Sequence, residues 1–191
     1  MTAQLRLFVA VAPPGATATA AARVIARLKD RGVEARWVDP AQAHLTLHFL
    51  GDVEETLLPA CCRALDAAAG RVAPFEIEIG GVGGFPDPRR PRTIWLGVRA
   101  GADGLRALHE SLATELVPLG FRPEGRRFVP HVTLGRVRPG GCRGDLAVEF
   151  AKLADVSGGS GQVASVTLVA SRLDPRGAVH DVLHEADLAA G

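Results

Sequence analysis

Two stretches of the chain carry a histidine and a threonine two residues apart: "HLTLHFLG" at 44–51 and "HVTLGR" at 131–136. Both lie in apolar, strand-like runs. Side chains alternate along a strand, so His44 and Thr46 share one face while Leu45 and Leu47 share the other. His131 and Thr133 stand in the same way against Val132 and Leu134. If the aliphatic side chains fill a core, the histidines and threonines face outward. Imidazole titrates near neutrality, so two histidines on opposite walls of a cleft can act as acid and base. One takes a proton from water; the other gives a proton to a leaving oxygen. A phosphorus atom between them would meet in-line attack on one side and departure on the other. The Thr46 and Thr133 hydroxyls can donate to its non-bridging oxygens, and Arg136 can add a charge-assisted bond. A single His-x-Thr would read as an ordinary strand face. Its recurrence is what points to chemistry.

The elements around the motifs also recur. Residues 5–12, "LRLFVAVA", read as a buried first strand, followed by an Ala-rich helix over 16–31 that stops at Gly32. The first motif predicts a strand over 44–50, then a helix over 54–69 and an alternating strand over 75–81. After the loop "GGFPDPRRPR" the series restarts, with a strand over 93–99, a helix over 103–119 and the second motif strand over 128–137. A helix over 142–154 and strands over 163–173 and 179–186 complete the expectation. The two histidines lie 87 residues apart, and the first strands and helices of each half keep nearly that offset. This spacing predicts an internal duplication, with repeat halves near 1–85 and 93–187, in one bilobal domain. The expected class is α+β: two pseudo-symmetric lobes, each an antiparallel sheet flanked by helices, around a central cleft.

Composition bounds the rest. Of 191 residues, 47% are hydrophobic and 23% charged, which predicts a globular chain. The net charge of +1 gives no global drive toward nucleic acid, so an RNA-binding surface must be local. Three cysteines, Cys61, Cys62 and Cys142, form no disulfide framework and no zinc pattern, which points to a reducing compartment. The opening apolar run is short and ends at Pro13 and Pro14, so it reads as a strand and not as a leader. No run has the ~20 apolar residues a bilayer span needs. A cytoplasmic monomer without membrane contact is expected.

The paired motifs resemble the signature of the 2H phosphoesterase superfamily. Within it, the chain is similar to the RNA 2',3'-cyclic phosphodiesterases, also called 2'-5' RNA ligases. The likeness spans almost the whole chain: "LRLFVAVAPP", "RWVDPAQAHLTLHFLG", "GGVGGFPDPRRPRTIWLGV" and "VASRLDPRGAVHDVLHEADL" resemble successive family segments. It implies a reaction without metal or cofactor, in which water opens a 2',3'-cyclic phosphate at an RNA end and leaves a 2'-phosphomonoester. The partner it implies is RNA with such an end, or a related nucleotide. It also implies His44 as proton donor and His131 as acceptor, with Thr46, Thr133 and Arg136 binding substrate. The two halves look alike, so this polarity rests on the resemblance. Some relatives also join RNA ends through 2'-5' bonds. One departure is His180, near which the family often has a tyrosine; this chain has no tyrosine.

Other side chains have plainer readings. His48, four residues after His44, would share its strand face, too far along to share a metal ion with it. His109 reads as structural, and so do Cys61 and Cys62. Trp37 and Phe128 precede the two motifs as core anchors, with stacking on a base as the alternative for one of them. Arg89, Arg90 and Arg92 form a solvated turn or a local phosphate-contacting patch, and Arg122, Arg126 and Arg127 divide in the same way. Two alternatives stay open: a cyclic phosphodiesterase of small nucleotide derivatives, and a module that holds RNA ends without turnover. Pure binding would need arginines more than two titrating histidines.

Overall fold

The structure, a computed structural model, describes residues 4–122, 125, 127–142, 144–174 and 177–189. Its nine strands are β1 (Gln4–Val11), β2 (Ala35–Trp37), β3 (Leu45–Glu54), β4 (Phe75–Phe85), β5 (Thr93–Ala100), β6 (His131–Val137), β7 (Ser157–Val163), β8 (Ser165–Asp174) and β9 (Gly177–Asp187). The α-helices are α1 (Ala16–Asp30), α2 (Leu58–Ala69), α3 (Ala102–Leu116) and α4 (Ala147–Lys152). The strands run in the order β7-β4-β5-β6-β3-β1-β8-β9, with β2 added beside β6, and every pairing is antiparallel.

The order reads the same way outward from its middle. On one side of the β3–β6 junction come β1, β8 and β9; on the other come β5, β4 and β7. At the junction, Leu45 and Val132 form the register pair. The sheet therefore has two wings hinged at the two motifs. Each wing is curled and covered on its outer face. Helices α2 and α3 pack against each other, with α2 against β8 and β9 and α3 against β3. Helix α1 lies on β7 and α4 on β4. Each wing thus takes strands from both halves of the chain: β8 and β9 complete the wing begun by β1, and β4 joins the wing of β5.

The aliphatic side chains at alternate positions meet the helices in one continuous core. Leu45, Leu47, Val132 and Leu134 are all buried in it, beside Leu105, Leu108 and Leu112 of α3. A second, small cluster of Phe8, Ala10 and Val169 is separate from that core and belongs to the inner face of the first wing.

Several boundaries differ from the sequence expectation. Strand β3 runs on to Glu54, so α2 starts at Leu58, with Pro59 in its first turn. Strand β6 starts at His131 and not at 128. The expected helix over 142–154 shortens to α4. Strand β7, "SGGSGQV", was not expected, because glycine has low strand propensity. Two of its glycines have a structural reason: a Cβ at Gly158 would lie 2.7 Å from Ile79 Cγ2, and Gly159 has a φ of +87°. The buried Thr17 hydroxyl donates to the Gly158 carbonyl at 2.9 Å, tying α1 to this strand.

Candidate active site

Both motif histidines are held in the same way. His44 directly precedes β3 and its Nδ1 lies 2.8 Å from the Gln42 carbonyl oxygen. His131 opens β6 and its Nδ1 lies 2.7 Å from the Val129 carbonyl oxygen. A carbonyl only accepts, so each Nδ1 carries the hydrogen and donates it. This fixes the Nδ1–H tautomer of each ring, so that Nε2 is the nitrogen able to exchange a proton. Antiparallel pairing at Leu45 and Val132 sets His44 and Thr133 on one side of that pair, and His131 and Thr46 on the other. The two imidazoles are close enough to influence each other. Burial holds the His44 pKa below its ordinary value; the bond to Gln42 opposes this and the charge of His131 adds to it.

The expected alternation holds through His44, Leu45, Thr46 and Leu47: partly buried, buried, partly buried, buried. His131 to Leu134 repeats it. Then each motif strand breaks step. Val9 pairs with His48 and Ala10 with Thr46, so Leu47 is an extra, bulged residue. Ile94 pairs with Gly135 and Trp95 with Thr133, so Leu134 is the extra residue of β6. The bulge stands at the same place in both motifs, directly after the threonine.

These bulges correct one expectation and supply a reason for another. His48 does not share the face of His44: the extra residue turns it inward, where it is buried at 6% exposure. There its Nε2 lies 2.8 Å from the His109 carbonyl, and its ring stacks on His109 with centroids 4.1 Å apart. His109 in turn bonds the bulged Leu47 carbonyl through Nδ1 at 2.9 Å and stacks on Phe128 at 4.2 Å. In β6 the same shift brings Arg136 onto the inner face. Its register partner in β5 is Thr93, two residues before Trp95, and cross-strand partners share a face. Arg136 is exposed there, and its partner in β2 is Arg36, also exposed, a second cation the sequence reading did not single out.

Aromatic rings flank each histidine. Phe8 stacks on His44 with centroids 4.8 Å apart, and His180 of β9 meets both His44 and Phe8 edge-on at 5.1 Å. On the other wing Phe85 meets His131 edge-on at 5.1 Å, with Trp95 at 6.3 Å. The Trp95 indole lies over glycine backbone: a Cβ at Gly83 would come 2.2 Å from its Cη2. A cavity of about 270 Å³ opens beside His44, lined in part by Phe8, Thr167, Val169, His180 and Val182. A larger hollow, about 490 Å³, lies between α1 and residues 37–40 and contains neither motif histidine.

The remaining candidates stand further off. Arg89, Arg90 and Arg92 are exposed in the β4–β5 hairpin loop. The Asp87 carboxylate accepts from the Arg89 backbone N–H at 2.9 Å, and the Val137 N–H donates to the Arg92 carbonyl at 3.0 Å. The loop therefore sits at the Val137 end of β6, while His131 is at the other. Arg122 and Arg127 are exposed; Arg126 lies outside the described residues. Trp37 and Phe128 pack against the main core. Among the described residues no group of three or more His, Cys, Asp or Glu side chains could hold a metal ion, and no helix is long and apolar enough to cross a membrane.

The sequence profile of the 2'-5' RNA ligase superfamily matches residues 13–174. An RNA 2',3'-cyclic phosphodiesterase of Methanothermobacter thermautotrophicus is 37% identical over 177 residues, 93% of this chain and 95% of the relative. One of Aeropyrum pernix is 36% identical over 169 residues, 86% of this chain and 95% of the relative. Among solved structures, TT0787 of Thermus thermophilus superposes with a TM-score of 0.80 at 30% identity, covering 96% of this chain and 98% of that one. E. coli LigT complexed with 3'-AMP gives a TM-score of 0.70 at 26% identity, covering 98% and 99%.

Proposed function

The chain belongs to the 2'-5' RNA ligase superfamily, and from that premise we propose that it hydrolyses RNA 2',3'-cyclic phosphate ends to 2'-phosphomonoesters. The observation that carries this reading is the matched pair of motif histidines, each with Nδ1 donating to the backbone carbonyl two residues before it. Curated relatives named RNA 2',3'-cyclic phosphodiesterase, similar over nearly their whole length, support the substrate class.

In the proposed reaction a water attacks phosphorus and His131 Nε2 takes its proton. The bond from phosphorus to the 3' oxygen breaks, and protonated His44 gives that oxygen its proton. His44 ends neutral and His131 protonated, and proton exchange with solvent restores the starting forms. Thr46 and Thr133 donate to the non-bridging oxygens as negative charge builds, and Arg136 offers a guanidinium on the same face. Run in the same direction with an RNA 5' hydroxyl in place of water as the attacking group, the same steps form a 2'-5' bond.

Product analysis tests this. An oligonucleotide with a 2',3'-cyclic phosphate should yield a 2'-phosphate end, with EDTA present and absent alike. A 3'-phosphate product would reverse the regiochemistry. Binding without turnover would make the protein a holder of RNA ends. Turnover confined to cyclic mononucleotides would move the substrate class to small nucleotides.

A further inference from the structure

His180 is separated from His44 by 136 residues in sequence, yet the β8–β9 hairpin carries it to the proton donor. Three rings meet there. His44 and Phe8 stack, and the His180 ring stands edge-on to both, 5.1 Å from each. His180 also lines the cavity beside His44. A bare phenyl group would complete the packing equally well. An imidazole adds a second site for a proton next to the first.

We propose that His180 is a positioning residue for His44, holding its ring in the three-ring cluster and competing with it for a single proton. This rests on the reading of His44 as proton donor. Two imidazolium rings in contact, partly withdrawn from water, repel each other, so the pair accepts one proton readily and a second only at lower pH. Among the described residues, the neighbours of His180 carry few charges. Asp181 follows it on β9 and is engaged by Arg172 of β8 at 2.6 Å. Its β8 register partner, Ser171, is uncharged. On β1, Phe8 is uncharged, and Arg6, two residues earlier, is the register partner of Asp52. His131 approaches His44 across the cleft. Burial lowers the His180 pKa, the charge of His44 lowers it further, and Asp181 opposes both.

The competition has a sign. If His180 shares the proton, removing its imidazole leaves His44 protonated to higher pH. The limb of the rate profile set by loss of the donor's proton should then move upward.

The experiment compares His180→Phe, which keeps a ring, with His180→Ala, which keeps none. Histidine NMR titration of the free protein should show the His44 midpoint rising in His180→Phe. The basic limb of kcat/KM should rise by the same amount. His180→Ala should lose about tenfold in kcat with KM little changed, because the donor ring loses its brace. An unchanged or lowered His44 midpoint in His180→Phe overturns the proton competition. A kcat in His180→Ala equal to that of the unaltered protein overturns the brace. The NMR titration needs no substrate, so a failure of the proposed reaction would appear separately, as absent turnover in the unaltered protein.

Discussion

Two equivalent histidines do unequal work in the proposed reaction, and substitution can tell them apart. His44→Ala and His131→Ala should each lower turnover by at least ~100-fold, the usual scale for removing a general acid or base. Both should stay folded, since neither ring is fully buried. Circular dichroism and steady-state rates check this; a near-normal rate in either variant would sink the mechanism. A substrate with sulfur at the departing 3' position separates the roles, because a thiolate leaves with little need of a proton. It should partly restore His44→Ala and leave His131→Ala inactive. Rescue of the His131 variant would exchange the assignments. At this scale the sequence was informative: motif spacing and strand alternation brought His44, Thr46, His131 and Thr133 together in advance. It was silent on His180 as a neighbour of His44, because that contact depends on which strands pair far along the chain.

The bulges decide which face each later side chain takes. Without the extra residue at Leu47, His48 would share the face of His44, further along the strand; with it, His48 lies under α3 against His109. Burial lowers the His48 pKa from its ordinary 6.5, with the bond to the His109 carbonyl opposing and the charge of His109 adding to the fall. The unfolded chain therefore binds this proton more readily than the folded one. The stability from His48 is complete above pH 6.5 and is lost as pH falls from there toward the lowered folded value. Urea melts at about pH 7.5 and about pH 5 should show this loss, and His48→Gln should show a smaller one. At the higher pH the same variant should be less stable by about 0.5–1.5 kcal/mol, from the lost ring stack. An equal pH dependence in both proteins would mean that His48 is not a source of it. A bulge is encoded in the fit between two strands and leaves no period in one of them, so alternation read Leu47 correctly and His48 wrongly. The glycines of β7 escaped for a related reason: they mark close approach to Ile79 and α1, which becomes visible only once those elements are packed.

At the scale of the molecule, a net charge of +1 leaves any attraction for RNA to local cations. Arg36 and Arg136 continue from the site toward the loop of Arg89, Arg90 and Arg92. Replacing the three loop arginines with alanine should weaken oligonucleotide binding and flatten its dependence on salt, because fewer counterions are released. A cyclic mononucleotide should be processed as before; equal losses on both substrates would assign the loop to shaping the cleft. The recurrence of elements 87 residues apart was legible in the sequence, but the exchange of strands between wings was not, since repeats do not state their partners. That exchange bears on how the protein is born. When the ribosome has released residues 1–92, the wing around His44 still lacks β8 and β9, and β4 has no β5 or β7 beside it. Neither half can close its own sheet. The emerging chain must carry unpaired strand edges until those strands are synthesised, and unpaired edges are open to pairing with the wrong partner.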